Sequence, residues 1–274
     1  MESTKVLFVS QEITPYLPES NLSLIGRNLP QGIQERGKEI RTFMPRYGCI
    51  NERRNQLHEV IRLSGMNLII NDSDHPLIIK VASIQTARMQ VYFIDNEDYF
   101  YRKSVLKDDN GNNFPDNDER AVFFARGVLE TVRKLRWAPD IIHCHGWFAG
   151  LVPLFIKTIY LDDPLFMNSK VVYSVYNDDF KGTLDKSLKD KLLMDGVNNK
   201  KLSLISKPDF INVNKLAVEM SDGIIIGGEK INNEIKEYIE NSEKPVLYHQ
   251  EDDYIDMYSE FYDKLLLEAI DEPA

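Results

Sequence analysis

The chain has 274 residues, of which 43% are hydrophobic and 28% are charged, a balance typical of a soluble globular protein with its own core. Its formal net charge of −10 argues against nucleic acid as a partner, because an acidic surface repels phosphate backbones. The sequence has two cysteines, no CxxC pair, no apolar run of about 18 residues and no leader-like N-terminus, and so predicts a cytoplasmic protein without disulfides or a membrane partner.

Strand-like and helix-like segments alternate along the chain. Apolar runs and amphipathic stretches predict, in order, strand 5–11, helix 21–37, strand 38–48, an inserted β-meander over 57–94, helix 116–137, strand 139–145, helix 147–160, strand 169–177, helix 207–221, strand 222–228, helix 229–242, a short strand 245–249 and a closing helix 253–270. The polar stretches 106–119 and 178–202 are interpreted as loops or weak helices. Because strands alternating with helices imply right-handed crossovers, we expect one α/β domain over residues 1–274, with a doubly wound, mostly parallel, Rossmann-like sheet.

Two histidines mark the end of the predicted strand 139–145. In the segment IIHCHGWFAG, His143 and His145 are two residues apart and therefore face the same side of a strand. Open α/β sheets bind ligands at the carboxyl ends of their strands. A metal would need at least a third ligand, and no other histidine has ligand spacing, so we expect no metal site. We interpret His143 as a hydrogen-bonded strand residue, and for His145 both a ligand contact and a structural role remain open.

Five segments carry a resemblance to a known family, in the right order and at similar spacing. They are KVLFVSQEITPY (5–16), with Glu12; LPQGIQERGKEIRTFMPRYG (29–48); FPDNDERAVFF (114–124), with Asp116, Asn117 and Arg120; PDIIHCHGWFAGLVP (139–153); and INVNKLAVEMSDGIIIGGEKINNEI (211–235). Together they resemble the N-terminal domain of glycogen and bacterial starch synthases, glycosyltransferase family 5.

The resemblance implies the N-terminal half of a GT-B glycosyltransferase, in which two Rossmann-like domains face each other across a cleft. It implies a hexosyltransferase that moves glucose from ADP-glucose to an α-1,4-glucan, so the expected partners are an α-glucan and a sugar nucleotide. It places the candidate catalytic residue His145 beside the transferred glucose. It also implies that Glu12 and Asn177 bind substrate through sugar hydroxyls, and that neither a cofactor nor a metal is needed.

The chain departs from the family pattern at the expected cleft. The family's KTGGL loop, whose lysine and glycines hold phosphates, is replaced by PESNL at 18–22. Gly146 replaces an aspartate, Tyr176 replaces a histidine beside the retained Asn177, and residues 227–229 replace a VSP element. The chain also ends soon after the first domain, so we expect the second GT-B domain to come from a partner chain or to be absent. These departures predict an enzyme that is impaired or inactive alone.

Other functions remain open. One is a non-catalytic glucan- or partner-binding module in glycogen metabolism, with sugar rings stacked on the aromatic residues Tyr92, Phe93, Tyr99, Phe100 and Tyr101. Packing of these rings in the core is the competing interpretation. An unrelated NAD-binding Rossmann domain is disfavoured, because the first βα loop contains no GxGxxG pattern.

Overall fold

A computed structural model describes residues 3–251 and 254–271 of the chain. The strands in this part are β1 (Lys5–Ser10), β2 (Glu39–Pro45), β3 (His58–Glu59), β4 (Met66–Ile70), β5 (Ser73–Ile84), β6 (Met89–Asp95), β7 (Ile141–His145), β8 (Lys170–Val175), β9 (Gly223–Ile226) and β10 (Val246–Leu247). The helices are α1 (Asn21–Glu35), α2 (Glu97–Phe100), α3 (Asn117–Leu135), α4 (Leu151–Ile156), α5 (Leu188–Met194), α6 (Phe210–Glu219), α7 (Asn233–Glu240) and α8 (Tyr254–Asp271).

One twisted sheet organises these elements in the order β10-β9-β8-β7-β1-β2-β6-β5-β3, and β4 pairs with β5. The strands from β10 to β6 are all parallel, whereas β5 runs antiparallel to β6. The predicted mostly parallel, doubly wound sheet is therefore confirmed. The β-rich segment 57–94 is continuous with this sheet, because β6 pairs directly with β2.

The central strands are buried on both faces, which explains their unbroken apolar sequences. In β7 all five residues are buried, and in β1 only the first residue is partly exposed. Helix α1 begins with a reciprocal cap, in which Ser20 Oγ accepts from the Ser23 backbone N–H at 3.0 Å and Ser23 Oγ accepts from the Ser20 N–H at 2.8 Å. It ends before Gly37, whose φ of +84° suits a residue without a side chain.

Helix α8 packs across the sheet beside α1. Its Tyr258, Tyr262 and Leu265 are buried, and Leu265 and Phe261 lie against the bare Cα of Gly223 at the start of β9. The predicted closing helix is therefore present, and it docks on its own domain. None of the helices in the described ranges has the length and apolarity that crossing a membrane requires.

Arg120 is a buried residue of the segment 114–124, which resembles the family. Its fully buried guanidinium donates to the carbonyl of Tyr99 at 2.7 Å, to the carbonyl of Val105 at 2.8 Å and to Asn117 Oδ1 at 2.6 Å. The loop between α2 and α3 is thus tied to α3. This motif residue therefore has a structural role: it fixes the loop that contains Val105.

One local prediction differs from the structure: residues 147–160 form a 3-10 turn at Trp147–Ala149 followed by the short α4, instead of one long helix. The stretch 178–202, interpreted as loops or weak helices, contains the short helix α5, whose Lys191 pairs with Asp118 and Glu119 of α3, both at 2.7 Å. That ion-pair cluster depends on tertiary contacts, which helical periodicity does not reveal.

Candidate functional site

A cleft opens at the carboxyl ends of β1, β8 and β9, where doubly wound sheets place their ligands. Its first hollow has a volume of about 460 Å³ and is lined by Glu12, Ser20, Asn21, Leu22, Tyr176, Asn177, Asp178, Gly228, Glu229 and Lys230. A second hollow of about 380 Å³ adjoins it and shares Glu12, Asn177 and Asp178 with it. These three shared residues form the boundary between the hollows.

Two of the three predicted site residues, Glu12 and Asn177, lie together on this boundary. Glu12 follows β1 and accepts a hydrogen bond from Ser20 Oγ at 3.0 Å. Asn177 follows β8 and is exposed. The structure thus brings both side chains to one place from distant parts of the chain, and their roles as substrate ligands stay predictions.

The third predicted residue, His145, lies one layer beneath the cleft. It is fully buried, and its Nδ1 is hydrogen-bonded to the hydroxyl of Tyr176 at 2.8 Å. Its Nε2 has no hydrogen-bond partner among the described residues. Burial lowers the pKa of His145 to about 3, so the ring is neutral at physiological pH. The ring of Tyr176 separates it from the first hollow and packs against Gly227.

His143 is the hydrogen-bonded strand residue that the sequence predicts. Its Nδ1 is hydrogen-bonded to the Tyr262 hydroxyl of α8, and its Nε2 to Ser174 Oγ of β8, both at 2.6 Å. Burial holds its pKa well below the usual range, and its ring centroid lies 3.8 Å from that of His145. Within the described residues no group of three or more histidine, cysteine, aspartate or glutamate side chains could hold a metal ion.

Asp178 is the cleft residue that the sequence reasoning missed. Its Oδ2 accepts a hydrogen bond from the Trp147 backbone N–H at 3.0 Å. Burial, reinforced by the charge of nearby Glu12, raises the pKa of its carboxyl to about 7. The sequence feature that could have pointed to Asp178 is the glycine at position 146, where the family pattern has an aspartate, because a side chain there would collide with the Asp178 carboxylate.

The cleft has an acidic lining. Among the described residues, the first hollow carries the carboxylates of Glu12 and Glu229 and the carboxyl group of Asp178, against the cation of Lys230. The N-terminus of α1, which could otherwise bind an anion, is closed by its own serine cap and by the Glu12 carboxylate on Ser20. This arrangement suits hydroxyl donors better than phosphate oxygens.

Most of the aromatic residues considered for sugar stacking pack inside the domain. Phe93, Tyr99 and Phe100 are buried, and Tyr92 stacks on Phe43 with ring centroids 4.9 Å apart. Tyr101 is 70% exposed, but it lies over Arg46 outside both hollows. Core packing is therefore the main role of this aromatic group.

Residues 5–247 match a protein family described as the starch synthase catalytic domain. Among known relatives, the glycogen synthase of Chlorobium limicola is 39% identical over 219 residues, which cover 80% of this chain and 44% of that protein. The glycogen synthase of Chlorobaculum tepidum is 40% identical over 202 residues, covering 70% of this chain and 41% of that protein. The chain thus spans less than half the length of these relatives.

A solved structure shares the fold. The catalytic domain of starch synthase IV from Arabidopsis thaliana, bound to ADP and acarbose, superposes with a TM-score of 0.68 at 18% identity, over 82% of this chain and 45% of that one. This likeness confirms the predicted GT-B type of α/β fold. Taken with the family match over nearly the whole described sheet, it leads to one conclusion: the chain belongs to the starch synthase catalytic-domain family of glycosyltransferases.

Proposed function

We propose that the cleft of this domain binds the neutral sugar units of an α-glucan, and that the chain alone is impaired or inactive in transferring glucose from ADP-glucose to an α-1,4-glucan. Glycogen synthase is the name of its relatives, and the related plant domain was solved with ADP and acarbose, which supports a sugar ligand. Glu12 and Asn177 are the proposed ligands of sugar hydroxyls, and His145 supports them from beneath through Tyr176.

The acidic lining of the first hollow carries this proposal. Glucosyl transfer from a nucleotide sugar leaves a diphosphate, whose developing charge needs positioned cations. The carboxylates of Glu12 and Glu229, with Asp178 partly ionised at neutral pH, provide the opposite field around one lysine. Cations for a leaving diphosphate would therefore have to come from outside this cleft, and a partner chain that carries a second GT-B domain is one source.

The transfer claim is tested by incorporation of labelled glucose from ADP-glucose into glycogen. We expect the wild-type chain to incorporate no more label than His145→Ala. Incorporation well above that of the variant would refute the proposed impairment. It would show that the acidic cleft still accommodates a diphosphate.

The binding claim is tested by native gel migration through glycogen. We expect glycogen to retard the wild-type chain, and Glu12→Ala and Asn177→Ala to weaken the retardation. Glu59→Ala is a matched control, because Glu59 is an exposed carboxylate on β3 at the far edge of the sheet. Migration of wild type unaffected by any α-glucan would contradict sugar binding and leave a non-catalytic module that binds a protein partner.

A further inference from the structure

Asp178 occupies the boundary between the two hollows with one carboxylate oxygen still unpartnered. Its Oδ2 is held by the backbone N–H of Trp147 at 3.0 Å, which fixes the carboxylate plane. Its Oδ1 is buried and has no hydrogen-bond partner among the described residues. A buried acceptor without a donor is unfavourable, so turning of the side chain toward the cleft, where this oxygen would accept from a donor of the ligand, would be favourable.

Gly146 makes room for this carboxylate. Its φ of +79° and ψ of 162° lie in a region open essentially only to glycine. A Cβ at this position would come within 2.8 Å of Asp178 Oδ2 and 3.3 Å of Gln11 Oε1. The glycine at 146 and the carboxylate at 178 are therefore a matched pair, in which a side chain at one position displaces the other.

The charges around Asp178 favour neutral ligands. Glu12 lines the same two hollows and is close enough to raise the pKa of the Asp178 carboxyl, after the larger effect of burial. A phosphate entering here would meet the Glu12 carboxylate and the partly ionised Asp178, whereas a sugar hydroxyl would donate to Asp178 Oδ1. The site would thus select ligands in two ways: it attracts a sugar hydroxyl and repels a phosphate.

We infer that Asp178, seated against Gly146, is the specificity-determining residue of the cleft. Its unpartnered oxygen accepts a hydrogen bond from a hydroxyl of a neutral sugar, and the same carboxylate disfavours ligands that carry phosphate. This inference rests on the proposed function for the presence of a sugar in the cleft.

Calorimetric titration with maltotetraose and with ADP tests the inference on the full chain. We expect Asp178→Asn, which keeps the shape and removes the charge, to weaken maltotetraose binding about tenfold and to strengthen ADP binding several-fold. Asp72→Asn removes the same charge from an exposed residue in the turn between β4 and β5, outside both hollows, and should change both affinities less than about twofold.

The outcomes separate this inference from the proposed function. If wild type binds maltotetraose and Asp178→Asn binds it equally well, with ADP affinity unchanged, the role of Asp178 is refuted while sugar binding stands. If wild type binds no maltotetraose, both are refuted. Asp178→Ser, which keeps a small polar side chain, replaces Asp178→Asn should the latter fail to give a cooperative unfolding transition.

Discussion

Replacing Arg120 with methionine tests whether this family-like residue is structural. Three hydrogen bonds from a charged donor would be lost, together about 4 to 9 kcal/mol. Removing a buried charge offsets about 3 kcal/mol of this, because burial lowers the pKa of Arg120 to about 10 and a shift of one pKa unit corresponds to about 1.4 kcal/mol. The loss of the hydrogen bonds is the larger effect, and we expect Arg120→Met to lower the free energy of unfolding by about 1 to 6 kcal/mol.

Urea denaturation, followed by circular dichroism, measures this loss. Arg133→Met is the matched control, since Arg133 lies on the same helix and its exposed side chain pairs with Glu130 and Asp163. Surface pairs contribute about 0 to 1 kcal/mol, so the control should change stability by no more than that. Equal stability losses in the two variants would refute the structural role assigned to Arg120.

Three further predictions concern the layers around the cleft. Burial raises the pKa of Asp178 to about 7 in the folded chain, so the free energy of unfolding of wild type should fall by up to about 1.4 kcal/mol per pH unit as pH rises from about 4 to 7. Asp178→Asn should lack this fall, so its stability relative to wild type should rise over the same range in urea titrations. Parallel pH profiles of the two proteins would contradict this. Tyr262→Phe leaves His143 Nδ1 without its partner and should cost about 1 to 3 kcal/mol by thermal unfolding; an unchanged melting temperature would count against the network. Gly227→Ala places a Cβ 2.4 Å from the Tyr176 ring and should weaken retardation by glycogen, whereas undiminished retardation would show that this ring does not shape the cleft.

The strands of the sheet could be predicted well from the sequence, because the central strands are apolar throughout. Every predicted strand from 139–145 onward has a counterpart in the sheet, and the closing helix was placed within a few residues. Helix α2, a single turn, was not predicted. Helix α5 lies in a stretch interpreted only as loops or weak helices, because its position depends on Lys191 reaching carboxylates on α3.

The candidate site was predicted only in part, for a physical reason. Strand alternation correctly put His143 and His145 on one face, yet it contains no information about the side chain that covers them. Tyr176 comes from the neighbouring strand and closes over His145. Asp178 likewise meets Gly146 across 32 residues of sequence, a contact that no local pattern encodes.

The hydrogen bond between His143 and Tyr262 means that α8 covers an imidazole that stays neutral. As long as the helix stays docked, His143 takes up no proton near neutrality. Undocking would admit water to His143 and return it to titration between about pH 5 and 8. Proton uptake between about pH 5 and 8 would therefore show whether α8 is docked.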